Sequence, residues 1–170
     1  MLANENETAV YITALEDSLQ KKAKVMTELL QLTKQQQSVL EMADFQRESD
    51  DMEQFDRLVE QKEVLLSQIT ELDRGFDSIF AKAGNELKAN KEQYRDQILQ
   101  MQNAIRSITD DGVRIQGLEQ KNKQLFTNKI SGAKKEIRDF KVSNKTAATY
   151  YQNMANQHHA WQTYFMDQKK

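Results

Sequence analysis

No proline interrupts this chain of 170 residues and only five glycines do, while apolar residues return in steps of three and four along most of its length. Proline and glycine supply most sharp reversals of a backbone, so a long chain nearly without them is built from long helices and few turns. All-β and α/β folds are not expected on that ground. The first periodic run extends from about Thr8 to Ala43, with a seam through Ile12, Leu15, Leu19, Lys22, Met26, Leu29, Thr33, Gln36 and Leu40. This is coiled-coil spacing. A single helix of that length, about 54 Å at 1.5 Å per residue, is stable only against lengthwise partners.

The periodicity fails at "ADFQRESDD", and Asp50 followed by Glu53 has the form of a capping box opening a second helix. That second run passes through Phe55, Leu58, Lys62, Leu65, Ile69, Leu72, Phe76 and Ile79, and Gly84 is placed to close it. A third uses Leu87, Lys91, Tyr94, Ile98, Met101, Ile105 and Ile108, and is expected to end or bend at "TDDG", Thr109 to Gly112. A fourth uses Ile115, Leu118, Asn122, Phe126, Ile130, Ala133, Ile137 and Phe140. Short breaks between long amphipathic helices favour antiparallel neighbours. The expected fold is therefore an all-α, elongated antiparallel bundle of about four coiled-coil-like helices, spanning residues 1–142, with an aromatic C-terminal segment at 143–170. Lys22, Lys62, Lys91, Gln36 and Asn122 interrupt the seams, a pattern that fixes register at some cost in stability.

Charge is unevenly placed. Residues 1–80 carry 8 Lys/Arg against 17 Asp/Glu, and residues 81–170 carry 16 against 9, as when acidic and basic helices lie side by side. The net charge of −2 argues against nucleic acid as a partner. No run of about 20 apolar residues is present to span a bilayer. The first ten residues, "MLANENETAV", have neither a basic region nor an apolar stretch, so a cytoplasmic protein is expected. Without cysteine, disulfides, thiol nucleophiles and cysteine-held zinc all fall away.

The inventory for catalysis is poor. There is no glycine-rich phosphate loop, and no Glu-x-x-His pair of the kind that holds two metals in a helical bundle. His158 and His159 are neighbours, so on a helix they diverge by about 100° and do not ligate one ion together. A phosphotransfer bundle would need an exposed mid-helix histidine near a lysine and a glycine, whereas no glycine follows Gly132. The expectation is a protein that is not an enzyme and uses no cofactor or metal.

"LLQLTKQQQSVLEMAD" followed by "DDMEQFDRLVEQKEVLLSQITELDRGF" resembles the FlgN family of flagellar type III export chaperones. The shared features are a leucine-rich helix ending near Glu41, a short acidic break, and an amphipathic helix with Leu58, Lys62, Leu65 and Leu66. The resemblance covers Leu15 to about Phe80. It implies a cytoplasmic bundle that binds hook-filament junction proteins through their C-terminal helices before export and delivers them to the export apparatus. FliT-like chaperones with another client, and a structural coiled-coil adaptor whose seam serves self-association, are the alternatives.

The resemblance also implies that the C-terminal part holds the client, and "YYQNMANQHHAWQTYFMD" (150–167) concentrates the aromatic surface there, with the only Trp and three of the five Tyr. The seam continues past Phe140 through Asn144, Ala147, Tyr151, Met154, His158, Trp161 and Phe165. Tyr150, Tyr151, Met154, Trp161, Tyr164 and Phe165 are the candidate partner-binding residues, expected to pack on the bundle as well as to bind.

Overall fold

The structure, a computed structural model, describes residues 5–42 and 50–129. They form three helices: α1 (Glu5–Met42), α2 (Asp50–Ala89) and α3 (Arg95–Lys129). α2 opens at Asp50, where the capping-box pattern places a helix start. α1 packs along both of the others. Contacts between Ser18 and Leu72, Lys22 and Asp73, and Gln36 and Lys62 make α1 and α2 antiparallel. Those between Thr13 and Gln97, Thr27 and Asp111, and Thr33 and Asn122 make α1 and α3 parallel.

The seams read from the sequence are the core. All nine seam positions of α1, from Ile12 to Leu40, are buried. Leu65, Ile69 and Phe76 of α2 join Met101, Ile105, Ile108 and Ile115 of α3 around α1 in one long cluster. A second, smaller cluster of Leu40, Phe55 and Phe126 closes the end of the bundle near the α1–α2 break, with the two rings 5.3 Å apart. These helices are each three times the usual length, and the unbroken burial along α1 is what stabilises them.

Two of the expected breaks do not occur. Gly84 does not end α2, which continues to Ala89, and Thr109 to Gly112 does not end α3, which runs through it. The third and fourth runs of the sequence are therefore largely one helix, and the described residues hold three helices where about four were expected. The physical reason is that both glycines are buried. Gly112 occupies a heptad position between Ile108 and Ile115, and Gly84 follows buried Ala83. The helical cost of glycine, about 1 kcal/mol, is outweighed where its backbone is covered. Within "TDDG", Thr109 returns its hydroxyl to the Ile105 carbonyl at 2.8 Å and Asp111 accepts from Thr27 at 3.3 Å, so these polar residues fit the helix. The reversal falls instead at residues 90–94, where the Asn90 amide caps the Glu86 carbonyl at 2.9 Å. Ile130, Ala133, Ile137, Phe140 and the boundary set at residue 143 lie outside the described residues.

The polar seam positions make two buried layers. Lys22, only 1% exposed, is bonded to Asp73 at 2.7 Å. Burial lowers the Lys22 pKa and raises that of Asp73, and their attraction opposes both shifts. Nearer the other end, Lys62 of α2 donates to Gln36 of α1 at 2.9 Å and to the Glu119 carboxylate of α3. Thr33 and Asn122 border this layer: the Asn122 amide donates to the Thr33 carbonyl at 3.2 Å, while its own oxygen is buried with no partner among the described residues. Burial pulls the Lys62 ammonium down to about 7.

Three outcomes are expected in urea titrations. Lys62→Met alone strands the Glu119 carboxylate and costs about 3 kcal/mol or more, whereas Lys62→Met with Glu119→Leu recovers most of that loss. Because the folded Lys62 holds its proton less tightly than an unfolded lysine at 10.5, the unfolded chain binds the extra proton between about 7 and 10.5. Stability therefore rises with pH across that window, and Lys62→Met flattens the rise. Gly117 sits inside α3 with open space where a Cβ would be, so Gly117→Ala raises stability by about 1 kcal/mol.

Candidate partner-binding surface

On the outer side of the α1–α2 pair lies a long valley. Its floor is apolar, built from Val25 and Leu32 of α1 with Leu65, Leu72 and Ile79 of α2. Two adjoining hollows of about 860 and 480 Å³ share Glu28 and Val64. Together they run from Gln61 to Ile79 along α2, roughly 27 Å at helical rise. Val64, where the two hollows join, is 58% exposed. Lys21, Lys24, Glu28 and Glu71 form a rim of both signs. An apolar trough of this length with a charged rim has the form that receives one face of an amphipathic helix.

The valley exists because α2 is apolar over more than one seam. Leu65 and Leu72 belong to the heptad that meets α1, and Val64 and Leu66 flank it on either side. A seam of two positions per heptad buries one stripe, and a wider stripe leaves an edge for another surface. Reading the seam alone therefore passed over Val25 and Val64. The triplet Val64-Leu65-Leu66 was the signal that could have found them.

The residues singled out from the sequence for partner binding, Tyr150, Tyr151, Met154, Trp161, Tyr164 and Phe165, lie outside the described residues, as do His158 and His159. Among the described residues no group of three or more His, Asp or Glu is placed to hold a metal ion, and no helix is long and apolar enough to cross a membrane. The carboxylates of half-buried Asp73 and buried Glu119 are each committed to a lysine.

Comparison with known proteins adds a family. A sequence model described as FlgN protein matches residues 1–158. Among curated proteins and among solved structures none matches the chain. The family match takes in all three helices, both polar layers and the valley, and it continues into the aromatic segment. With the helical fold and the leucine-rich α1 and α2 already described, it makes this chain a member of the FlgN family of flagellar export chaperones.

Proposed function

We propose that this protein is a non-catalytic chaperone that holds hook-filament junction proteins in the cytoplasm and passes them to the flagellar type III export apparatus. The observation that carries the reading is the family match across 158 of the 170 residues. The bundle supports it in kind. A client awaiting export presents an apolar helix that would otherwise associate too early, and covering it needs an apolar trough and no chemistry. The α1–α2 valley is the trough we assign to the C-terminal helix of the client. The aromatic set Tyr150, Tyr151, Met154, Trp161, Tyr164 and Phe165 supplies the second contact, since Trp and Tyr are the side chains in which interface energy concentrates.

The reading as a protein without catalytic residues draws support from the layout of its buried charges. A general acid or base is a group poised in a cleft, whereas Lys22 and Lys62 are spent on Asp73, Gln36 and Glu119 inside the bundle.

Binding of a purified junction protein, measured by calorimetry, tests the assignment. Val64→Glu places a charge on an already exposed position, so helicity and melting are expected to stay as they are. Client affinity should drop about tenfold or more, as for the loss of a central interface contact. Tyr164→Ala should weaken the same complex. Affinity unchanged in both variants would mean that the client is held elsewhere, and a preparation that captures only a second copy of this chain would favour a structural adaptor.

A further inference from the structure

The two hollows of the valley differ in the charge that they present. Both of its basic side chains, Lys21 and Lys24, line the wider hollow. They stand one turn apart on α1, both are exposed, and neither makes an ion pair among the described residues. Glu28 follows one turn later, where the hollows join. The narrower hollow beyond it is lined by Thr27, Gln31 and Gln61 and has no basic group. Glu71, on the opposite wall, is held by Arg74 of its own helix at 2.8 Å. Positive charge is therefore gathered at one end of the trough, and the other end is neutral.

The basic end is also cut away. Gly75 lies on the α2 wall of the wider hollow, well inside the helix, and nothing stands within 4 Å of where its Cβ would be. Leu72 and Ile79, one turn to either side, border the gap on the same face of α2. The Lys22–Asp73 contact sets Lys21 across from this stretch, and Ser18 beside it already donates its hydroxyl to the Leu72 carbonyl at 3.3 Å. An exposed glycine inside a helix weakens it. Here it leaves an apolar notch in the wall that faces the two lysines.

We propose that the wider hollow receives the C-terminal turns of the client helix, which carry acidic side chains for Lys21 and Lys24 and a large apolar side chain for the notch at Gly75. The bound helix then runs parallel to α2 and antiparallel to α1. The last four carbonyls of a helix have no partner within it and give that end a partial negative charge. The ammonium groups of Lys21 and Lys24 are donors of the sign that those carbonyls and carboxylates accept. The reverse orientation would set a positive helix N-terminus against two lysines and leave the C-terminus over side chains without positive charge. Glu28, about 6 Å along α1 from Lys24, selects a basic or amide side chain on the client one turn before its acidic end. The narrower hollow takes the earlier apolar turns. This assignment rests on the reading of the valley as the client site, and adds to it the direction and the charge order of the helix.

The chain has no cysteine, so one introduced cysteine places a spin label at a known site on the full-length protein. Ser78→Cys marks the end of the valley at Ile79 and Gln61→Cys the other end; both positions are exposed and stand about 25 Å apart along α2. The probe is an isotope-labelled peptide of the junction protein's C-terminal helix. The label at 78 should broaden the signals of its last turns, and the label at 61 those of its first. The reverse pattern, with Val64→Glu still weakening the complex, overturns the direction and leaves the client site standing. Broadening from neither position overturns both. Lys21→Gln combined with Lys24→Gln should lower affinity about fivefold and reduce its dependence on salt. Gly75→Leu should lower it about tenfold without lowering the melting temperature, whereas Gly117→Leu, an equally open position on α3, should leave it unchanged. Full affinity in the double lysine variant or in Gly75→Leu overturns the proposal.

Discussion

A lysine ammonium held in the core by side chains from two other helices is the constraint on which the rest of the arrangement depends. Lys62 on α2 meets Gln36 on α1 and Glu119 on α3. Moving α1 one heptad toward its C-terminus would set the ammonium against Leu29, and moving α3 one heptad toward its C-terminus would set it against Gly112, with no acceptor side chain at either place. A buried cation without a partner costs several kcal/mol, more than the small difference between one leucine layer and the next. Apolar heptads alone leave such slips nearly equal in energy. The polar layer separates them, and Lys22 with Asp73 repeats the restriction between α1 and α2 some ten residues along.

The same layer divides the core in two. The main cluster extends from Ile12 to Leu30 on α1 with its partners on α2 and α3, and the Leu40, Phe55, Phe126 cluster lies beyond Gln36 and Lys62. The smaller cluster is an aromatic cap on the end where the α1–α2 break falls. It is also the end from which the chain leaves α3. A register fixed just inside this end keeps the Phe55 and Phe126 rings in contact, tilted by 34°, although their helices are not direct neighbours.

Much of this was legible in the sequence, because heptad spacing reports burial directly. Every seam residue read for α1 is in the core, and of the five polar residues read as interrupting the seams Lys22, Lys62, Gln36 and Asn122 are buried, whereas Lys91 lies half-buried in the turn between α2 and α3. The helix count was misread for one reason. Glycine was taken as a stop at Gly84 and Gly112, yet in a long bundle a buried glycine is a packing position, where loss of a side chain admits a neighbour. Once Gly112 and Glu119 are counted as heptad members, the steps from Met101 to Phe126 are regular and no break remains. The reversal at residues 90–94 was hidden by the opposite error, since Lys91 and Tyr94 continue the spacing and only the Asn90 cap marks the turn. The valley was missed because its floor uses the edges of seams and Val64, which no seam contains.

α2 emerges as the helix that organises the surfaces. One of its faces meets α1, one edge forms the valley with Val64 where the two hollows join, and the other edge carries Val59, Leu66 and Phe80, which pack on the core clusters. With the α1–α2 valley as the proposed client surface, a bundle built this way keeps its own core closed while offering apolar surface, because the buried seams and the valley rim are different sides of the same helices.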